Sequence, residues 1–233
     1  MNNKETESNK QEELEIQETS PSKVSLFIDD IKNWINQQNK VFFFGIVAII
    51  SVTALYVAYT YLYKMPKEKK GLEALYITQE LFDVDSFNSV LKTAPKLAAE
   101  YSGTKAGNLA NYYAGVSYLR TGNSKKAIEF LSDVSFSDRM MKPQAIGLLG
   151  DAYIESKDLE KGLKQYLKAV KSSKNELSEI WWSKKAARVY EKQENWKSAL
   201  AIYEDLLEKY KTNEDLIDLP KHIARAEAKL DIY

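Results

Sequence analysis

The sequence has no cysteine and a single histidine, His222. A disulfide framework, a thiol nucleophile and Cys-bound zinc are therefore excluded, as are metal sites that need two histidines from one chain. The lack of cysteine fits an oxidising envelope and a cytosol equally well. Glycine and proline are scarce, at 9 and 5 of 233 residues. Lys, Glu, Leu and Ala are common, which favours a mostly helical protein. No charge sign is in surplus, with 33 basic and 33 acidic residues. A neutral balance gives no general reason to expect nucleic acid, because phosphate binding needs excess Lys and Arg on one face. The sequence also lacks a Gly-rich phosphate loop, a metal cluster and a nucleophile elbow. It therefore reads as non-enzymatic, with no cofactor and no small-molecule substrate.

What is present falls into regions. Residues 1–23 carry six Glu against three Lys and few large apolar side chains. Such a segment buries too little apolar area to offset the entropy of ordering, so it reads as a disordered polar tail. In residues 24–40, Val24, Phe27, Ile28, Ile31, Trp34 and Ile35 share one helical face. The spacing predicts an amphipathic helix lying on a membrane surface, with Trp34 at headgroup level. Residues 41–63 run for 23 positions without a charge, bracketed by Lys40 and Lys64. At the helical rise they would extend about 35 Å, enough for a hydrocarbon core about 30 Å thick. Tyr56, Tyr59, Tyr61 and Tyr63 crowd the second end like an interfacial belt. The run starts too late and is too long for a cleaved signal peptide, so a single-span anchor is expected. Lysines beside the span (Lys23, Lys32 and Lys40 against Lys64, Lys67, Lys69 and Lys70) lean slightly towards a cytoplasmic C-terminal domain.

From residue 66 to 233 a repeat emerges. Gly115 and Tyr118 are followed by Ala127; Gly150 and Tyr153 by Gly162; Ala187 and Tyr190 by Ala199. Gly115, Gly150 and Ala187 lie 35 and 37 residues apart. Tetratricopeptide repeats have a period near 34, so a few residues are inserted between the second and third copies, at KSSKNELSE, residues 171–179. The acidic pair Glu176 and Glu179 falls in that polar loop. The small residues allow close helix approach, the tyrosines fill the seam, and Leu131, Tyr166 and Tyr203 face the next repeat. TGN at 121–123, SKD at 156–158 and QEN at 193–195 make tight turns, with Gly122 free to take a positive φ. Residues 72–104 read as a degenerate first repeat, with Pro95 at a kink or helix start. Residues from Leu219, with Pro220 in the first turn, read as a capping helix that carries His222. The expected fold is all-α: one N-terminal transmembrane helix, then a tetratricopeptide-repeat-like α-solenoid.

The run AEYSGTKAGNLANYYAGVSYLRTG, residues 99–122, resembles bacterial membrane-anchored tetratricopeptide proteins. Together with the order of tail, span and repeats, it resembles the YfgM-like family of ancillary subunits of the SecYEG (Sec) translocon. That resemblance implies a single-pass inner-membrane protein with a cytoplasmic N-terminus and periplasmic repeats. It also implies partners: Sec translocon subunits, periplasmic chaperones including a membrane-anchored prolyl isomerase, or client polypeptides.

Stacked repeats present a concave surface lined by the first helix of each pair. With Asn108, Pro143 and Ile180 as position 1, positions 2, 5, 9 and 13 face that groove. They are Leu109, Tyr112, Val116 and Arg120 in the first copy, and Gln144, Gly147, Asp151 and Glu155 in the second. In the third they are Trp181, Lys184, Arg188 and Lys192. The groove would grade from apolar-aromatic through acidic to basic and bind an extended or helical polypeptide. Two readings stay open beside this: Leu109 and Tyr112 packing on the degenerate repeat, and the third-copy charges forming a solvated face. The expected function is a protein-protein scaffold accessory to the Sec translocon. The alternatives are a module of another envelope assembly complex, or a cytosol-facing receptor if the topology is inverted.

Overall fold

A computed structural model describes residues 23–37 and 40–230 of the chain. The reading of a disordered tail falls, except for Lys23, outside the described residues, as does that of the Trp34 side chain. Among the described residues there are helices and no strands. They divide into two compact units, one ending at Tyr63 and the other beginning at Lys64.

In the first unit, α1 spans Lys23–Gln37 and α2 spans Lys40–Ala58, followed by a π-helical turn, Tyr59–Lys64. Val24, Phe27 and Ile28 of α1 are exposed, as are Phe42, Phe44, Ile49, Ile50, Val52 and Leu55 of α2. Among the described residues one helix, beginning at Phe42, is long and apolar enough to cross a membrane. The serine and threonine hydroxyls of α2 are satisfied internally: Ser51 donates to the Val47 carbonyl and Thr53 to that of Ile49, both at 2.8 Å. An apolar medium demands this, since it offers no other partner.

The second unit is a succession of helical hairpins. Helices α3 (Met65–Asp83) and α4 (Phe87–Glu100) form the first pair, α5 (Lys105–Arg120) and α6 (Ser124–Ser132) the second. Helices α7 (Met141–Glu155) and α8 (Leu159–Ser172) follow, then α9 (Glu176–Lys192) and α10 (Trp196–Lys209), and finally α11 (Leu219–Lys229). Each helix packs on its neighbour in the chain, and α7 also touches α5 on one side and α9 on the other.

All four hairpins use one turn. Asp85, Gly122, Lys157 and Glu194 each take a positive φ, between 55° and 80°. The next residue donates its amide back to a carbonyl five positions earlier: Ser86 to Leu81, Asn123 to Tyr118, Asp158 to Tyr153 and Asn195 to Tyr190, at 2.8–2.9 Å. In the last three hairpins that residue also caps the second helix, accepting from the amides of Lys126, Lys161 and Ser198. The cap satisfies one of the N–H groups that a helix start leaves without a partner. This shared turn places Leu81 where the other copies have tyrosine, so α3–α4 is the same hairpin with altered contents. Thr78, 1 % exposed, stands in the Gly slot and hydrogen-bonds Thr93 at 2.8 Å, while fully buried Val90 stands in the Ala slot.

The small signature residues sit at close approaches. A Cβ on Gly115 would lie 2.6 Å from Leu131, and one on Gly150 would lie 2.7 Å from the Tyr166 ring. Ala127 and Ala199 are fully buried. Such contacts bring helix axes within the 8–10 Å typical of packed helices. Tyr118 stacks on Phe130 at 5.4 Å. Pro95 lies inside α4 rather than at its start.

Two local expectations change. Glu176 and Glu179 are not in a loop but in the first turn of α9. Asn175 caps that helix by accepting from the Ser178 amide at 2.8 Å, and both carboxylates then complement the helix dipole. The connection left without helix between copies two and three is correspondingly short, Ser173–Asn175. The EYSGTKAGNLA lead-in, which the repeat frame leaves unexplained, is a joint between α4 and α5. Thr104 donates to the Tyr101 carbonyl at 2.6 Å and accepts from the Gly107 amide at 3.1 Å. A side chain on Gly107 would place its Cβ 2.2 Å from that same carbonyl oxygen.

Candidate functional site

The concave cleft is built where α5, α7 and α9 run side by side. Its volume is about 540 Å³. Leu119, Leu148 and Ile154 give it an apolar floor, and Arg120, Gln144, Asp151, Glu155 and Trp181 line it. Five of the twelve residues expected to face the groove are therefore brought together. Lys184 and Arg188 line an adjoining hollow of about 210 Å³ with Leu177, Ile180 and Trp181. Lys192 is exposed in the last turn of α9 and lines neither hollow.

The first-copy residues lie elsewhere. Tyr112 and Val116 are buried, and Leu109 packs beside them in the core shared with α3 and α4. Tyr112 contacts Phe136 and Phe82, at 5.6 and 6.3 Å between ring centres. Burial raises the Tyr112 hydroxyl above its ordinary range, followed by the influence of Tyr113, while Arg120 opposes the shift. Of the first-copy set, Arg120 alone is exposed. The physical reason is the degenerate hairpin. Its Phe82 and Leu81 fill the space that an open groove would need.

Asp151 is the centre of the second copy. Tyr166 donates its hydroxyl to Asp151 Oδ1 at 2.5 Å, and Lys185 Nζ reaches both carboxylate oxygens at 2.6 and 2.7 Å. Burial, and then the Asp151 carboxylate, push the Tyr166 hydroxyl far above the usual tyrosine range. It therefore stays neutral and remains a donor. Lys185 lies 5.0 Å from the Trp182 ring centre, 5.5 Å from Trp181 and 5.7 Å from Tyr166. Burial raises the Glu155 carboxyl, Asp151 raises it further, and Arg120 pulls the other way. Lys185 is a residue that the groove positions passed over. The signal was present: it stands 34 residues after Asp151, about one repeat on.

Lys184 makes the same kind of tie forwards. Its ammonium binds Asp218 Oδ1 and, at 2.8 Å, the Asp215 carbonyl; Asp218 again lies 34 residues on. Adjacent lysines of α9 thus hold the repeat behind and the cap ahead. His222 Nδ1 lies 3.2 Å from Glu191 Oε1, which also accepts from the Tyr203 hydroxyl at 3.1 Å. His222 Nε2 lies 3.8 Å from Asp218, as does an Arg188 nitrogen. This network ties α11 to α9 and α10.

Burial alone would raise the Asp218 carboxyl, but the hydrogen bond and charge of Lys184, its own backbone amide and His222 together hold it below the ordinary 3.8. A lowered folded-state value stabilises above the unfolded value and is lost as pH falls through the folded one. Asp218→Asn should therefore unfold at lower urea than the parent at pH 7. The gap should begin to close below about pH 3.8. Urea midpoints of both proteins at a series of pH values check this; a constant gap across the acid range would contradict it.

The tetratricopeptide repeat family model matches residues 185–213, from mid-α9 through α10 and the turn after it. Two crystal structures of nearly identical TPR-like repeats from Podosopora anserina superpose with a TM-score of 0.57 and 13% identity. The match covers 70% of this chain and 88% of each of those. A structure of MamA from residue 41 to its end, from Desulfovibrio magneticus RS-1, gives a TM-score of 0.49 at 20% identity, over 65% of this chain and 77% of that one. No curated protein matches the chain. The fold is a tetratricopeptide-like α-solenoid with a repeat of that type over α9 and α10.

Proposed function

We propose that the chain is a non-enzymatic, membrane-anchored scaffold that binds a polypeptide in the cleft of α5, α7 and α9. One observation carries the reading. Trp181 is 56% exposed at the junction of both hollows, although its neighbour Trp182 is buried. A large indole left in water beside Arg120 and Arg188 has the composition of an interface hot spot. Support for anchoring comes from the charge-free run and from the exposed apolar side chains of α2, which water would not favour. The finer reading is an accessory of the Sec translocon, with a cytoplasmic N-terminus and inner-membrane anchor, linking it to periplasmic chaperones or emerging clients. That rests on the resemblance of residues 99–122.

Trp181 and Arg188 should be replaced together by Ala and partners recovered by cross-linking in native membranes. Recovery should fall at least about tenfold, the loss of roughly 1.4 kcal/mol or more that a hot spot carries. Unchanged recovery with an intact fold would sink the cleft. Protease treatment of spheroplasts tests the topology. Cleavage of the repeats in intact spheroplasts supports the envelope side. Protection there, with cleavage only in inside-out vesicles, supports the cytosol-facing alternative that the lysine distribution favours.

A further inference from the structure

A second surface of the repeat domain is not absorbed by the scaffold reading. It is a cleft of about 370 Å³ between the start of α7 and the end of α8, sharing no residue with the concave one. Arg139, Lys142, Lys168, Lys171 and Lys174 line it, with Asp138 as its one acid. None of the ion pairs found among the described residues uses any of these five cations. The Asp138 carboxylate is committed to the start of α7, accepting from the Met140 and Met141 amides at 2.8 and 2.9 Å. The chain as a whole is neutral, so five cations to one acid is a segregation of charge and not a reflection of composition.

We propose that this face docks on the anionic phosphates of a lipid headgroup layer. The cations supply charge complementarity, since juxtamembrane Lys and Arg are drawn to anionic lipid. Two exposed apolar side chains adjoin them in the chain, Met140 at 59% next to Arg139 and Leu167 at 39% next to Lys168. Cations interleaved with apolar groups suit the boundary between headgroups and acyl chains better than a purely acidic protein surface. The occupant also rests on the anchor reading above, because a tether keeps a bilayer at high effective concentration.

The absence of cysteine makes the test clean. Full-length protein carrying Leu167→Cys, labelled with a polarity-sensitive fluorophore, is reconstituted in nanodiscs of phosphatidylcholine alone or with phosphatidylglycerol. A parallel Ile50→Cys sample reports on the span. The Leu167 label should shift to the blue only with phosphatidylglycerol. High salt should weaken that shift, and Lys168→Glu, Lys171→Glu and Lys174→Glu together should abolish it. These side chains are exposed or end a helix, and circular dichroism confirms that the charge reversals leave the fold intact. An equal response in both lipids, or one that survives charge reversal, overturns the proposal. So does a response to soluble polyglutamate that phosphatidylglycerol does not reproduce, which would assign the face to an acidic protein. A buried Ile50 label with a silent Leu167 label overturns lipid docking alone; a water-exposed Ile50 label overturns the anchor and the docking with it.

Discussion

Trp182→Ala should destabilise the repeat domain by about 3–5 kcal/mol, the usual cost of emptying a buried aromatic site. Trp182 is 1% exposed and stacks on Tyr166 with ring centres 6.0 Å apart and planes 21° apart. Its ring also lies on Gly147, where an added Cβ would come within 2.4 Å of three indole carbons. One side chain thus joins α7 and α8 of one repeat to α9 of the next. In a solenoid each repeat is stabilised mainly by its neighbours. The loss should therefore be local, uncoupling α9–α11 from the repeats before it. Urea unfolding of the full chain in detergent should show a first step that moves to lower denaturant while the remainder holds. A single unshifted transition would mean that the indole is not the joint. Gly147→Ala attacks the same contact from the other side, by overpacking, and should cost about 1–3 kcal/mol. Combining the two substitutions should cost less than their sum, because the cavity left by the indole accepts the new methyl group.

Asp151→Ala is expected to cost about 2–3 kcal/mol, since it leaves two groups without partners at once. The Tyr166 hydroxyl loses its acceptor and Lys185 loses its counter-ion. The side chains of Lys185 and Asp151 are 26% and 21% exposed, so solvent screens part of the charge term and the effect stays below that of a fully buried pair. Asp151→Asn keeps an acceptor for Tyr166 and should recover about 1 kcal/mol of the loss. Lys185→Ala in the Asp151→Ala background should cost little more, because the pair is already broken. A double-mutant cycle in thermal or urea unfolding measures the coupling; strictly additive losses would show that the two residues act independently. The outcome also bears on partner binding. Asp151 and Lys184 were both expected to meet a partner, yet Asp151 is engaged in a tie between repeats and Lys184 in a tie to the capping helix. Trp181, Arg120, Gln144 and Glu155 are what the cleft has left to offer.

Much of the repeat was legible because its rules are local. A small residue, a tyrosine three positions on and a small residue nine positions after that mark a hairpin whatever surrounds it. The first hairpin escaped this frame for a physical reason. Thr78, Leu81 and Val90 do the same packing with different atoms, and it is the shared positive-φ turn that shows the equivalence. Groove exposure was less legible. Positions 2, 5, 9 and 13 point to one side of a first helix, but what stands on that side depends on the preceding repeat. Phe82 and Phe136 cover Tyr112, whereas Trp181 meets its chain neighbour Trp182 edge-on at 6.5 Å and stays 56% exposed.

The sequence by itself determined the helical class, the charge-free run of residues 41–63 and the period of the hairpins. Composition and short-range spacing carry all three. Only the tertiary structure decided that Lys184 and Lys185 face opposite ways along the solenoid, that Tyr112 is core, and that five cations from α7, α8 and their flanking loops share one cleft. Those outcomes depend on residues about one repeat apart being brought within a few ångströms. Spacing proposes such pairs, and packing selects among them.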